Sequence, residues 1–68
     1  MTIVALNGER RELGERATIE VAVHAAGAPD GRGVAVALDG EVVPRRSWDE
    51  LALREGQRVE VVQAVQGG

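Results

Sequence analysis

The apolar positions of this chain fall into short runs separated by turn dipeptides. Thr2-Ile3-Val4-Ala5-Leu6 is followed at once by Asn7-Gly8 and then by the mixed run Glu9 to Leu13. Asn-Gly supplies the two positive-φ positions of a type I′ hairpin turn, which predicts strands over about 2–6 and 10–13 with Gly14 closing the second. Thr18 carries the side-chain oxygen an N-cap needs, and Glu20 suits the positive end of a helix dipole. Ile19, Ala22, Val23 and Ala26 then recur at helical spacing, predicting a helix with one apolar face. Gly27 ends it and Pro29 bars its continuation. The stretch 27–33 reads as a loop; its Gly31-Arg32-Gly33 lacks the Lys and the following helix of a phosphate loop.

Val34 to Leu38 is an almost wholly apolar strand, expected where both faces are covered or one meets a partner. Asp39-Gly40 is a second two-residue hairpin signal, Glu41-Val42-Val43 returns, and Pro44 stops the strand. Ser47 is a candidate cap for a single helical turn. Gly56 marks a turn before the last strand, Arg58 to Val65, in which Val59 and Val61 face one side and Glu60, Val62 and Ala64 the other. The predicted architecture is α+β: a roll in which a mixed sheet of about four to five strands packs on one helix. The first and last strands lie parallel at its centre. The expected core is Val4, Leu6, Leu13, Ile19, Ala22, Val23, Ala26, Val36, Leu38, Leu53, Val59 and Val61.

Composition narrows the function. The chain has 68 residues, 44% hydrophobic and 28% charged, which suits one small globular domain. It has no Cys, Tyr, Phe or Lys and a single His. Those absences exclude a Cys nucleophile, a Lys Schiff base, a Tyr acid and a thiolate metal site. A net charge of −3 argues against nucleic acid as a partner. No window approaches the roughly 20 apolar residues of a membrane helix, so no membrane partner is expected. The apolar run opens without a basic region before it, and the expectation is a cytoplasmic protein. What these exclusions leave is a binding, carrier or interaction domain rather than an enzyme.

The last two residues, Gly67-Gly68, read alone as a frayed terminus, but after this order of elements in a chain of this length they are the expected place for chemistry. A backbone without side chains enters a narrow channel, and its terminal carboxylate projects clear of the fold. A carboxylate is a poor electrophile until a nucleotide activates it as an acyl-adenylate. A partner enzyme holding the nucleotide would do the catalysis.

At this point the whole chain resembles a known family, the ThiS-type sulfur carriers of thiamine biosynthesis, which are ubiquitin-like β-grasp proteins. The residues that carry the resemblance are Asn7-Gly8 after the first strand, the helix opened by Thr18, and Val34 to Leu38. Val42-Val43-Pro44-Arg45 with Trp48 follows, then Leu53, Gly56 and Val59-Glu60-Val61, and the tail Gly67-Gly68. Val-Pro-Arg with a Trp three positions on favours the thiamine branch over the related small subunit of molybdopterin synthase. The chain departs from the common pattern at Leu6, where an aromatic residue is frequent, at Gln57, where an Asp is common, and at Gln66.

The resemblance implies a β-grasp domain over 1–65 and a flexible tail over 66–68. It implies no bound cofactor. ATP is used by an adenylating partner similar to ubiquitin-activating enzymes, which modifies Gly68. A persulfide protein donates the sulfur, a thiocarboxylate forms, and thiazole synthase accepts it. Gln66 and Gly67 form the tail. Two alternatives stay open: a ubiquitin-like modifier or a carrier for another pathway such as the molybdopterin type, and a non-catalytic β-grasp interaction module.

Val62, Ala64, Ala35 and Ala37 are expected to form an apolar patch on the open side of the sheet, a partner site next to the tail. Trp48 is expected to pack at the edge of the core with its indole nitrogen hydrogen-bonded. Arg45 and Arg46 read as a solvated pair and His24 as exposed. Glu9, Glu12, Glu15 and Glu20 read as solubilising residues that also steer the chain toward a basic partner.

Overall fold

A computed structural model describes residues 1–28 and 32–63. Its elements are β1 (Thr2–Leu6), β2 (Glu9–Leu13), α1 (Ile19–Ala25), β3 (Val34–Leu38), β4 (Glu41–Val43), a single 3-10 turn (Arg45–Ser47) and β5 (Arg58–Gln63). The strands form one sheet in the order β2-β1-β5-β3-β4. β1 and β5 run parallel, and the remaining neighbours are antiparallel. This is the ubiquitin-like β-grasp roll.

Both hairpins form as the dipeptides predict. Asn7 and Gly8 have φ of 51° and 82°, and Asp39 and Gly40 have 49° and 89°. These are the left-handed positions of a type I′ turn, whose twist matches that of the flanking strands.

The helix is short, and its ends are tied to the rest of the chain. The Thr18 hydroxyl accepts a long hydrogen bond from Val21 N–H at 3.5 Å. Tertiary carbonyls take two more first-turn donors: Ile19 N–H donates to Leu51 at 3.1 Å and Glu20 N–H to Trp48 at 3.1 Å. The free N–H groups of a helix start are thus satisfied largely by the segment that follows the 3-10 turn. At the other end Gly27 N–H donates to His24 and Ala28 N–H to Val23. With Gly27 at φ 90°, this is a Schellman ending. Arg11 reaches from β2 to donate to the Ala25 carbonyl at 3.2 Å, placing a cation at the negative end of the helix.

The helix-side face of the sheet carries the core. Val4, Leu6, Leu13, Ile19, Ala22, Val23, Val36, Leu53 and Val59 are buried as expected, and Leu38 and Val61 pack half-buried against them. Two expectations are corrected. Ala26 is exposed: it is the C-cap at the helix's end, still helical in conformation, and the buried place beyond the helix goes to Ala28. Ser47 caps nothing; it is the last residue of the 3-10 turn, whose N-cap is Pro44 with no side-chain hydrogen bond. Ala17, Ala28, Val43 and Trp48 complete the core. Ala28 is brought in by the Schellman turn, which sets it against Val23.

Candidate functional site: the open face and the last strand

In β-strands, alternate side chains point to opposite faces. The residues opposite the core therefore line a face that no helix covers. Across β3 and β5, Ala35 stands opposite Val62 and Ala37 opposite Glu60; across β3 and β4, Ala37 stands opposite Val42. Ala35 is exposed, Ala37 half-buried, and Val62 is 63% exposed. The expected patch members Ala35, Ala37 and Val62 thus share one corner of the open face. Val42, 77% exposed, belongs with them and was not foreseen. Its place follows from the Asp39-Gly40 turn, since a two-residue loop pairs Leu38 with Glu41 and Ala37 with Val42. The other half of the face is charged, with Arg10 opposite Ala5, Glu12 opposite Ile3, and Arg58 beside Ala5.

A shallow groove runs along the β1–β5 seam, lined by Ala5, Asn7, Arg58, Glu60 and Val62 among others. Ala64, Gln66, Gly67 and Gly68 lie outside the described residues. In sequence, Gly68 follows Gln63, the last described residue of β5, by five positions.

Side chains from both hairpin turns hold β5. Asn7 Nδ2 donates to the Val61 carbonyl at 3.2 Å, and Val61 N–H donates to Asn7 Oδ1 at 2.7 Å. Asp39 Oδ1 accepts from Arg58 N–H at 2.9 Å, while Asp39 N–H donates to the Arg58 carbonyl at 2.8 Å. Gln57 links this second clamp to the preceding turn. Its Nε2 donates to Asp39 Oδ2 at 3.2 Å and its Oε1 accepts from Arg54 N–H at 2.7 Å. A long amide side chain at 57 can do both, having one donor end and one acceptor end. The turn beneath it is fixed to β1, because Gly56 N–H donates to Ile3 and Ile3 N–H to the Glu55 carboxylate.

Trp48 is buried, and its indole N–H donates to the Val43 carbonyl at 3.1 Å. It is a core residue, as expected. Arg45 is exposed, as expected, and its guanidinium sits 5.6 Å from the indole centroid, a cation–π contact made from the solvent side of the core's edge. Arg46, His24 and the four expected acidic residues are exposed. Among the described residues, no three His, Cys, Asp or Glu side chains gather to hold a metal, and no helix is long and apolar enough to cross a membrane.

The ThiS family model matches residues 4–68, nearly the whole chain and including Gly67-Gly68. The chain belongs to the ThiS family. It is similar to the crystal structure of the thiamine biosynthesis protein (ThiS) from Geobacter metallireducens, with a TM-score of 0.76 at 23% identity over 98% of this chain and 100% of that one. At that identity the likeness speaks for the fold. It is also 34% identical over 65 residues to a thiazole synthase of Paramagnetospirillum magneticum (strain ATCC 700264 / AMB-1). Those residues are 96% of this ThiS-family chain but 20% of that protein, so the chain spans about a fifth of the curated relative it matches.

Proposed function

We propose that this chain is a sulfur carrier for thiazole formation in thiamine biosynthesis, a co-substrate whose reacting group is the carboxylate of Gly68. The observation that carries the reading is the family match, which runs to Gly68 and so takes in the Gly-Gly pair.

A partner enzyme supplies ATP and catalysis. A Gly68 carboxylate oxygen attacks the α-phosphorus, pyrophosphate leaves, and the acyl-adenylate forms. The terminal sulfur of a protein persulfide then attacks the acyl carbon and expels AMP. A thiol attacks the donor-side sulfur of the resulting acyl disulfide, which frees the thiocarboxylate and leaves the donor in a disulfide with that thiol. The carrier contributes the carboxylate, a slim approach through Gly67, and an apolar handle at Ala35, Ala37, Val42, Val62 and Ala64. The adenylating enzyme grips that handle while the tail, starting at Gln66, enters its active site.

Thiazole synthase is the proposed acceptor. Support comes from the Paramagnetospirillum protein of that name, which contains within one polypeptide a stretch 34% identical to this chain. A carrier sequence built into a synthase is the arrangement expected of a donor and acceptor that act in succession.

Deleting Gly68 tests the role. The truncated chain is expected to keep its fold, because Gly68 has no side chain to contribute to a core, and to lose all sulfur transfer to the thiazole. Thiazole formation that persists with the truncated chain refutes the carrier reading. Isopeptide adducts joining Gly68 to lysines of other proteins would instead indicate a protein modifier.

A further inference from the structure

At the corner where β5 approaches the tail, the sheet thins out. The pairing of β1 with β5 ends at Leu6 opposite Val59. β4 pairs with β3 only between Val36 and Leu38. At Ala35 opposite Val62 and at Val34 opposite Gln63, the described sheet therefore consists of β3 and β5 alone. A two-stranded ribbon is marginally stable by itself, yet it is the stretch of sheet that immediately precedes the last residues in sequence.

One side chain reaches onto this ribbon. The backbone of β1 pairs with β5 through Ala5 N–H to Gln57 and Asn7 N–H to Val59. The next pairing groups on the same edge of β5 are the N–H and carbonyl of Val61. Both are taken by the Asn7 side-chain amide, which donates from Nδ2 and accepts at Oδ1. A primary amide offers the same donor–acceptor pair as a peptide group, so the side chain extends the β1 ladder by one step after its backbone has turned away at Gly8. This is a task separate from the turn itself, since glycine also fits the left-handed backbone at position 7.

Holding Val61 also fixes Val62. A slip of one residue in a strand exchanges its two faces, and Val62 would leave the apolar corner.

We propose that Asn7 is a positioning residue for delivery of the C-terminal glycine: its side chain keeps the end of β5 paired and in register, so that the apolar corner and the tail meet the adenylating enzyme together. The inference rests on the carrier reading above. If the strand end is ordered in only a fraction of molecules, the apparent affinity for the carrier falls by that fraction, while turnover at saturation is untouched because the enzyme selects the ordered form.

The experiment compares the full chain with Asn7→Gly, which keeps the turn and removes the clamp. Asn7→Asp is a second variant, keeping an acceptor for Val61 N–H but offering no donor to its carbonyl. Leu13→Ala serves as a control that weakens the core without touching Val61. Amide hydrogen exchange is measured at Val61, and carrier-dependent ATP–pyrophosphate exchange is measured with the adenylating enzyme from the same cells. In Asn7→Gly, Val61 exchange and the KM for carrier should each rise about tenfold with kcat unchanged. Asn7→Asp should lie between it and the natural chain, and Leu13→Ala should leave KM unchanged. An unchanged KM in Asn7→Gly overturns the proposal, as does an equal rise in KM for Leu13→Ala at the same folded fraction. If the natural chain supports no exchange at all, it is the carrier reading that falls. The Val61 amide rates then still decide whether Asn7 holds the strand end.

Discussion

Val62 stands directly opposite Ala35 across β5 and β3, and the two side chains share the face that the helix leaves open. A residue 63% exposed adds little to the core, so replacing it is expected to change stability by no more than about 0.5 kcal/mol. It does sit one residue before the last described position of the strand that leads to Gly68. Val62→Asp is predicted to leave the melting temperature almost unchanged and to weaken binding to the adenylating enzyme about tenfold, or ~1.4 kcal/mol. Val42→Asp, on the same face one strand further out, should act in the same direction. Unchanged affinity for both variants, with the fold intact, would remove this corner from the account.

Asp39 holds the opposite end of β5. Its carboxylate takes the Arg58 N–H and meets the Gln57 amide. Asp39→Gly, which keeps the left-handed backbone of the turn, is predicted to cost about 1.5–3 kcal/mol, the range for a hydrogen bond to a charged group. Asp39→Asn keeps an acceptor oxygen and the residue type a type I′ turn favours, so it should cost less. Urea unfolding followed by circular dichroism gives both values, and equal costs for the two variants would argue against the hydrogen bond as the cause.

Trp48 combines burial with a hydrogen bond. Trp48→Ala is expected to lose about 3–5 kcal/mol through the cavity it leaves. Trp48→Phe keeps much of the volume but leaves the Val43 carbonyl without its indole donor, a loss of about 1–3 kcal/mol. Because Trp48 is the single aromatic residue, its fluorescence in the natural chain should shift to longer wavelength on unfolding, in step with the loss of circular dichroism. Emission already typical of a water-exposed indole in the folded protein would contradict its buried position.

Arg11 donates to the Ala25 carbonyl at the end of a helix of seven residues. Arg11→Ala removes both that hydrogen bond and a cation beside the negative helix end, and is predicted to destabilise the fold by about 1 kcal/mol. The loss should shrink in high salt, since part of it is electrostatic; a salt-independent loss would leave only the hydrogen bond.

The elements of this fold were legible where one residue pair decides the backbone. Asn7-Gly8 and Asp39-Gly40 placed both hairpins, and the alternation along β5 placed Val59 and Val62 on opposite faces. Helical spacing misled at Ala26, because periodicity gives a residue's side of the helix and not whether the rest of the fold covers it at the helix's end. The burial of Val43 and exposure of Val42 were available from the register that the second turn imposes. Side-chain roles were the least legible part. Asn7 read as a turn residue, and its grip on Val61 depends on a strand 54 positions away in sequence. Gln57 departs from the family's common residue, but only the fold shows it bridging Arg54 and Asp39.

The most direct test of the central claim is made on protein purified from its native cells, treated with a thiol-alkylating reagent and mapped by intact and fragment mass. With no Cys in the chain, the carrier account predicts an adduct on the Gly68 carboxyl group, the mark of a thiocarboxylate. Fragment mapping separates it from oxidation of Met1 or Trp48, which adds nearly the same mass as exchanging oxygen for sulfur. A Gly68 that remains unmodified, even after incubation with ATP, the adenylating enzyme and a persulfide source, would contradict the account.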